Sequence, residues 1–287
     1  MTRAEAIIEF IERYCLIPEG AGVGAAMVLA DFQRDFIRDV YDNPAGTRRA
    51  FLTIARKNGK SGLIAALLLA HLVGPEAKRN AQLVSGAMSR DQAALVFGLA
   101  SKMVQLNPRL AKLVRIVPSG KRLIGLPLNT EYRALAAEGK TAHGLSPVLA
   151  ILDEIGQVRG SQSDFIDAIT TSQGAHAEPL LIAISTQAAS DADLLSVWLD
   201  DAAQSKDPRI VSHAYTAPEG CALDDAAAWQ AANPALGIFR SLDDLREQLA
   251  QAQRMPSMEN SARNLLLNQR VSTEAPFVSP DVWKANA

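Results

Sequence analysis

Apolar and polar residues follow two different periods along this chain. Mostly apolar runs at 51–55, 147–152 and 179–184 are typical of strands that are buried on both faces of a sheet. Elsewhere apolar residues recur every three or four positions, which predicts helices. These helical segments are 3–14, 29–41, 63–73, 90–106, 163–171 and 194–203. Because strands alternate with helices, the pattern predicts an α/β fold with right-handed crossovers and a mainly parallel central sheet flanked by helices.

Weaker signals complete the sheet and add a helical region after it. The sequence favours a strand at 81–86, a hairpin at 121–132 and an edge strand at 210–215. Three further helical segments, 224–232, 242–253 and 258–269, are separated by Asn-Pro and Met-Pro pairs. We therefore divide the chain at residue 216. Residues 1–216 contain the sheet, and residues 217–287 form a small helical linker or lid that ends in a connector.

The turn after the first strand has the composition of a phosphate-binding loop. Arg56-Lys57-Asn58-Gly59 form a polar turn, and Lys60-Ser61 open the following helix. In such a loop, backbone N–H groups hold phosphates, the lysine neutralises β/γ charge and the serine hydroxyl binds Mg²⁺. The usual pattern requires a glycine five residues before Gly59, where this chain has Ile54. The strict signature is therefore not met.

Acidic and polar residues follow the next two buried strands. Asp153-Glu154 end the run 147–152, where ligands bind in open α/β sheets. Asp153 could hold Mg²⁺ through water, and Glu154 could polarise the water that attacks a γ-phosphate. The alternative is a solvent-facing turn. Ser185-Thr186-Gln187 follow the run 179–184 and could sense the γ-phosphate or form a simple polar turn.

Gln33 in the second helix has two interpretations. It is either a solvated helix residue or a glutamine whose amide pairs with both the donor and the acceptor of adenine.

Composition narrows the class of protein. The 287 residues are 48% hydrophobic and 21% charged, with a formal net charge of −2, which argues against coating nucleic acid by bulk electrostatics. Two cysteines and four scattered histidines favour neither a disulfide framework nor a metal cluster. The charged N-terminus predicts no signal peptide, and the longest apolar run is too short to span a bilayer. We expect a soluble, cytosolic protein.

In this order the motifs resemble the large terminase subunit of tailed bacteriophages, of the HK97-like type. The resemblance covers nearly the whole chain, and the segment Arg-Lys-Asn-Gly-Lys-Ser is its most distinctive part, since the loop of this family lacks the first glycine. It implies a P-loop NTPase fold over residues 1–216 and an ATPase that uses ATP and Mg²⁺ to drive double-stranded DNA into a procapsid. It further implies a ring, commonly a pentamer, on the portal protein, together with the small terminase subunit, in the host cytoplasm. Outside the ring the chain is expected as a monomer.

The resemblance also implies a role for each matching residue. Lys60 would bind the β/γ-phosphates with the loop residues Lys57, Asn58 and Gly59, and Ser61 would bind Mg²⁺. Arg56 would contact the γ-phosphate from the same subunit. Asp153 would support the metal, and Glu154 would activate water. Ser185, Thr186 and Gln187 would couple hydrolysis to movement, and Gln33 would read adenine.

Two departures from the family pattern affect these expectations. Some relatives place an arginine just before the glycine that corresponds to Gly144 and use it across the ring, whereas this chain has His143. Lys140 or Arg133 on the same segment could replace it. In addition, the chain stops where the C-terminal nuclease domain of the family should begin, so we expect a motor and linker without nuclease activity.

Two other functions stay open on sequence grounds. A helicase-like or other P-loop ATPase acting on nucleic acid would need a second RecA-like domain. The part of the chain after residue 215 is too short and too helical to form such a domain. A non-catalytic interaction module with a P-loop fold would tolerate loss of Lys60, Ser61 or Glu154, and all three are present.

Overall fold

The computed structural model describes residues 1–137 and 144–271. Within these residues the chain forms ten α-helices and eight strands. The helices are α1 (Arg3–Tyr14), α2 (Asp31–Tyr41), α3 (Lys60–Leu72), α4 (Arg90–Leu106), α5 (Pro108–Leu113), α6 (Asp164–Ser172), α7 (Leu194–Gln204), α8 (Ala226–Ala232), α9 (Leu242–Arg254) and α10 (Pro256–Leu266). The strands are β1 (Arg49–Thr53), β2 (Gln82–Ala87), β3 (Val114–Val117), β4 (Arg122–Gly125), β5 (Thr130–Ala136), β6 (Pro147–Asp153), β7 (Leu180–Ser185) and β8 (Ile210–Ala214).

The eight strands form one sheet in the order β3-β4-β5-β2-β6-β7-β1-β8. The six strands from β5 to β8 in this order pair in parallel, and β3, β4 and β5 pair antiparallel at the other end. The predicted α/β fold with a mainly parallel sheet is therefore confirmed, including β8 as an edge strand. The short elements α5 and β3 were not predicted, because neither is long enough to show a period.

Apolar residues on both faces of the sheet explain this layering. The first face carries α1, α2, α3 and α4, and the second carries α6 and α7. In α3 every residue from Leu63 to Ala70 is fully buried. A helix that is apolar all round must be covered on all sides, and α3 is covered by the sheet, α1 and α4.

The helices α8, α9 and α10 form a third apolar cluster beside the carboxyl end of β1. Ala55, in the turn after β1, is part of this cluster with Trp229 and Leu245. Side-chain caps fix where two of these helices begin, since Asp225 accepts from the first turn of α8 and Ser241 from that of α9. The helical region thus packs directly on the loop predicted to bind phosphate.

Candidate active site

The turn between β1 and α3 has the backbone of a phosphate-binding loop. It leaves the sheet between β7 and β8 and ends at Gly59, whose φ of 77° is in the left-handed region that favours glycine. Lys57 also has a positive φ, of 65°. Because α3 begins at Lys60, its unpaired N–H groups and positive dipole end face the turn. This geometry suits an anion.

Lys60 is held inside this turn. Its Nζ donates hydrogen bonds to the carbonyl oxygens of Ile54 at 2.9 Å and Ala55 at 3.2 Å. Burial lowers the pKa of Lys60, and the carboxylates of Glu154 and Asp153 oppose that shift. The lysine therefore lies within electrostatic reach of both strand-end carboxylates.

Asp153 ends β6 in a buried position, with 3% of its surface exposed. Among the described residues its Oδ1 has no hydrogen-bond partner. Burial raises the pKa of Asp153 to about 7, the charge of Glu154 adds to this, and Lys60 opposes it. A buried carboxylate oxygen without a partner is costly, so this atom fits a cation ligand or a bound water.

Glu154 lies at the turn immediately after β6. Its φ of 53° and ψ of 37° are left-handed, which costs about 1–3 kcal/mol for a residue with a side chain. Its N–H donates to the carbonyl of Ile184 on β7 at 2.9 Å, which helps to hold this conformation. The interpretation of Asp153-Glu154 as a solvent-facing turn is wrong for Asp153, which is buried.

Ser185 connects the ends of β6 and β7. Its hydroxyl donates to Glu154 Oε2 over a long 3.4 Å and accepts from the N–H of Gly156 at 2.9 Å. A Cβ on Gly156 would lie 2.4 Å from the carbonyl oxygen of Thr186, so no side chain fits there. Thr186 is itself buried. Because Gly156 has no side chain, its N–H reaches the Ser185 hydroxyl, which lies between Gly156 and the Glu154 carboxylate.

Gln187 bonds to residues 264–270 of the helical region with three of its polar groups and to Thr216 with the fourth. Its N–H donates to Asn268 Oδ1 at 2.8 Å, and its carbonyl accepts from Asn264 Nδ2 at 2.9 Å. Its side chain donates to Thr216 Oγ1 and accepts from Arg270 Nε at 3.0 Å. Asn264, Asn268 and Arg270 were not predicted from the sequence, because nothing local marks a residue that bonds to a loop some 80 positions away.

The phosphate loop is also attached to the helical region. The N–H of Arg56 donates to the carbonyl of Leu265 at 2.9 Å, while its side chain is exposed. Asn58 is buried, and its amide donates to Asn233 Oδ1 at 2.8 Å and accepts from the N–H of Ala235 at 3.1 Å. Lys57 pairs with Asp244 of α9 at 3.2 Å. The side chains of Asn58 and Lys57 thus contact protein groups here.

Gln33 lies beside the loop, although it is 26 residues earlier in the chain than Gly59. It is 2% exposed, so its interpretation as a solvated residue is wrong. Its Oε1 accepts from the N–H of Ala30 at 3.0 Å. Its Nε2 lies 3.3 Å from the position that a Cβ on Gly59 would take. The structure therefore brings Gln33, Lys60, Asp153 and Glu154 to one edge of the sheet.

The three candidates for a residue acting across a ring are placed differently. Lys140 and His143 lie outside the described residues. Arg133 lies in the middle of β5, opposite Val84 of β2, and pairs with Glu131 at 3.4 Å.

The part of the chain that the structure describes contains no group of three or more His, Cys, Asp or Glu residues placed to hold a metal ion. Nor does any described helix have the length and apolar character needed to cross a membrane.

A strand, a phosphate-binding turn and a helix, with two carboxylates at the end of a nearby parallel strand, define a P-loop nucleoside triphosphatase fold. The family model "Terminase large subunit, ATPase domain" matches residues 32–200. The large subunit terminase of Enterobacteria phage HK97 is 66% identical over 284 residues, which are 99% of this chain and 56% of that protein. The chain belongs to the terminase large subunit family and corresponds to its ATPase domain. It spans about half the length of the curated relative it matches.

Solved structures agree with this assignment. The crystal structure of the HK97 bacteriophage large terminase superposes with a TM-score of 0.91 at 66% identity, covering 99% of this chain and 58% of that one. The large terminase ATPase domain of Thermus phage P74-26 superposes with a TM-score of 0.58 at 18% identity, and the match covers 85% of this chain and 94% of that one. A large terminase from a thermophilic bacteriophage, in complex with ATP-γ-S, superposes with a TM-score of 0.52 at 10% identity, and the match covers 79% of this chain and 49% of that one. At such low identity, these last two structures show a shared fold only. The family match gives no support to a helicase-like ATPase or to a non-catalytic module.

Proposed function

We propose that this chain is the ATP-hydrolysing motor of a large terminase subunit and drives double-stranded DNA into a procapsid. The observation that carries the proposal is the placement of Lys60 in the turn after β1 and of Asp153 and Glu154 at the carboxyl end of β6, at the same edge of one mainly parallel sheet. A large terminase of the same fold is solved with ADP and with ATP-γ-S, which supports ATP as the nucleotide.

The loop residues would bind the triphosphate. Lys60 would leave the carbonyls of Ile54 and Ala55 and pair with the β- and γ-phosphates, while Arg56 would contact the γ-phosphate from its exposed position. Gln33 would read adenine through its Nε2 and the second lone pair of its Oε1. Backbone N–H groups at the start of α3 would complete the phosphate site.

The acidic pair fits a magnesium ion and a hydrolytic water. The unpartnered Oδ1 of Asp153 and the hydroxyl of Ser61 at the start of α3 are the oxygen ligands that Mg²⁺ prefers. When bound with ATP, Mg²⁺ supplies charge neutralisation at the β- and γ-phosphates. Glu154 would orient the attacking water and accept its proton as the bond between the γ-phosphorus and the ADP oxygen breaks.

Ser185, Thr186 and Gln187 would carry the state of the site to the helical region. Ser185 contacts the Glu154 carboxylate at one end, and Gln187 bonds to Asn264, Asn268 and Arg270 at the other. A change in the hydrogen bonding of Glu154 therefore reaches residues 264–270 through three consecutive residues. In this proposal residues 1–216 are the ATPase domain and residues 217–287 the helical linker.

The remaining parts of the proposal concern assembly. The motor would act in the host cytoplasm as a ring, with a pentamer as the expected size, on the portal protein and with the small terminase subunit. Within the ring, Arg133, Lys140 or His143 would contact the nucleotide of a neighbouring subunit. Contact with DNA would be made to the phosphate backbone and without sequence preference.

DNA packaging in vitro by the large subunit that carries this chain tests the motor function. Wild type, Glu154→Gln and the exposed control Glu247→Gln are mixed with procapsids, portal, small subunit, DNA and ATP, and nuclease-protected DNA is measured. We expect protected DNA with wild type and Glu247→Gln only. Packaging by Glu154→Gln at the wild-type rate would overturn the proposal.

A further inference from the structure

The turn between α8 and α9 places an aromatic ring beside the nucleotide loop. Phe239 Cε2 lies 3.0 Å from the position that a Cβ on Gly59 would take, and Gln33 Nε2 lies 3.3 Å from the same position. Phe239 is nevertheless 49% exposed, and it follows the 65% exposed Ile238. A large ring beside the phosphate loop and close to the Gln33 amide, yet half open to solvent, has surface available for a ligand.

The position of this ring is fixed by the loop itself. The N–H of Ala235 donates to Asn58 Oδ1 at 3.1 Å, which attaches the turn to the phosphate loop. The carbonyl of Ala235 in turn accepts from the N–H groups of Ile238, Phe239 and Arg240 at 3.0–3.2 Å.

Arg240 anchors the other side of this turn. It is 3% exposed, and its guanidinium pairs with Asp244. Asp244 also pairs with Lys57 of the phosphate loop. Phe239 is therefore held between two attachments to the same loop, one through Asn58 and one through Lys57.

We propose that the ring of Phe239 is a stacking surface for the base of the bound nucleotide. This inference rests on the proposed function, because it requires the triphosphate to lie in the loop and the base edge at Gln33. With both ends of the nucleotide so placed, the base lies at Gln33, beside the position near Gly59 that both the Gln33 amide and the Phe239 ring approach. An aromatic face then adds stacking, while Gln33 supplies edge recognition.

Calorimetric titration with Mg-ATP and with Mg-tripolyphosphate tests the inference, because only ATP has a base. In Phe239→Ala we expect the Kd for ATP to rise about tenfold and the Kd for tripolyphosphate to stay the same. Phe239→Tyr keeps a ring and should bind ATP like wild type. Ile238→Ala, on the same turn, is the matched control and should change neither Kd.

Two results would overturn the stacking role and leave the phosphate site intact. One is an equal change, or no change, for both ligands in Phe239→Ala. The other is a wild type that binds ATP no more tightly than tripolyphosphate. The separate variant Lys60→Ala tests the phosphate site and should weaken both ligands. If Lys60→Ala bound both as wild type does, the proposed function would fail, and the stacking proposal with it.

Discussion

The amide of Asn58 in the phosphate loop donates a hydrogen bond of 2.8 Å to the amide oxygen of Asn233 in the helical region. Asn233 in turn donates to the carbonyls of Trp229 and Leu266, at 3.0 Å and 2.9 Å. Both side chains are almost fully buried, with exposures of 1% and 0%. The phosphate loop lacks the first glycine of the usual pattern. It is fixed by a hydrogen bond between its own Asn58 and Asn233 of the helical region.

Replacing Asn233 by alanine should loosen this loop. Asn58 would lose a partner, and the carbonyls of Trp229 and Leu266 would lose their amide donor. We expect the free energy of unfolding to fall by about 1–3 kcal/mol, because buried groups are left without partners. Urea denaturation measures this loss, and ATP titration should show weaker binding. The exposed Gln204→Ala serves as control; an equal effect of both variants would contradict the account.

Ser185→Ala should slow hydrolysis more than it weakens binding. The substitution removes the hydroxyl that donates to Glu154 and accepts from Gly156, so the carboxylate loses part of its positioning. We expect kcat to fall by about 10- to 100-fold with KM nearly unchanged. Steady-state kinetics measure the two constants separately.

Ser196→Ala is the matched control for Ser185, because Ser196 is also a buried serine and its hydroxyl has no partner among the described residues. It should leave kcat unchanged. A rise in KM at constant kcat in Ser185→Ala would contradict a positioning role for the hydroxyl.

Because His71 is buried, we expect the protein to lose stability in acid. His71 lies in α3, and its Nε2 forms a hydrogen bond of 2.8 Å with the hydroxyl of Tyr41. Burial lowers its pKa to about 4; Glu76 opposes the shift, while Arg3 and Lys78 add to it. Between pH 6.5 and 4 the unfolded chain therefore binds more protons at this residue. The free energy of unfolding should fall with falling pH, by up to about 1.4 kcal/mol per pH unit from this group.

The comparison with His71→Gln isolates this contribution, since glutamine does not titrate and keeps both a hydrogen-bond donor and an acceptor for Tyr41. Urea denaturation at several pH values should show that the free energy of unfolding of wild type, relative to that of His71→Gln, declines below pH 6.5. If the free energy of unfolding changed with pH in the same way for both proteins, His71 would be ruled out as the source of the acid sensitivity.

The sequence predicted the sheet and the acidic pair because both depend on local patterns. Runs of apolar residues specify strands buried on both faces, and the carboxyl ends of parallel strands meet at one edge, so Asp153 and Lys60 were expected at the same edge of the sheet. The resemblance to the terminase family supplied the individual roles. These roles, and the boundary at residue 216, stay predictions until they are measured.

The contacts between the helical region and the site could not be predicted. Asn58 and Asn233 are 175 positions apart, and no period or spacing relates them. Phe239 has the sequence context of an ordinary loop residue, and only the folded chain places it against Gly59. Strand β3 was missed because four residues with mixed exposure carry too little pattern.

Steady-state ATP hydrolysis by wild type and Glu154→Gln, over a range of protein concentrations, tests whether Glu154 activates the attacking water. We predict that Glu154→Gln still binds ATP but hydrolyses it about 10²–10⁴-fold more slowly, as expected for loss of a general base. We also predict that wild-type activity rises more than linearly with concentration, because we propose that a neighbouring subunit completes the site. Equal rates for wild type and Glu154→Gln would contradict the claim that Glu154 activates the attacking water.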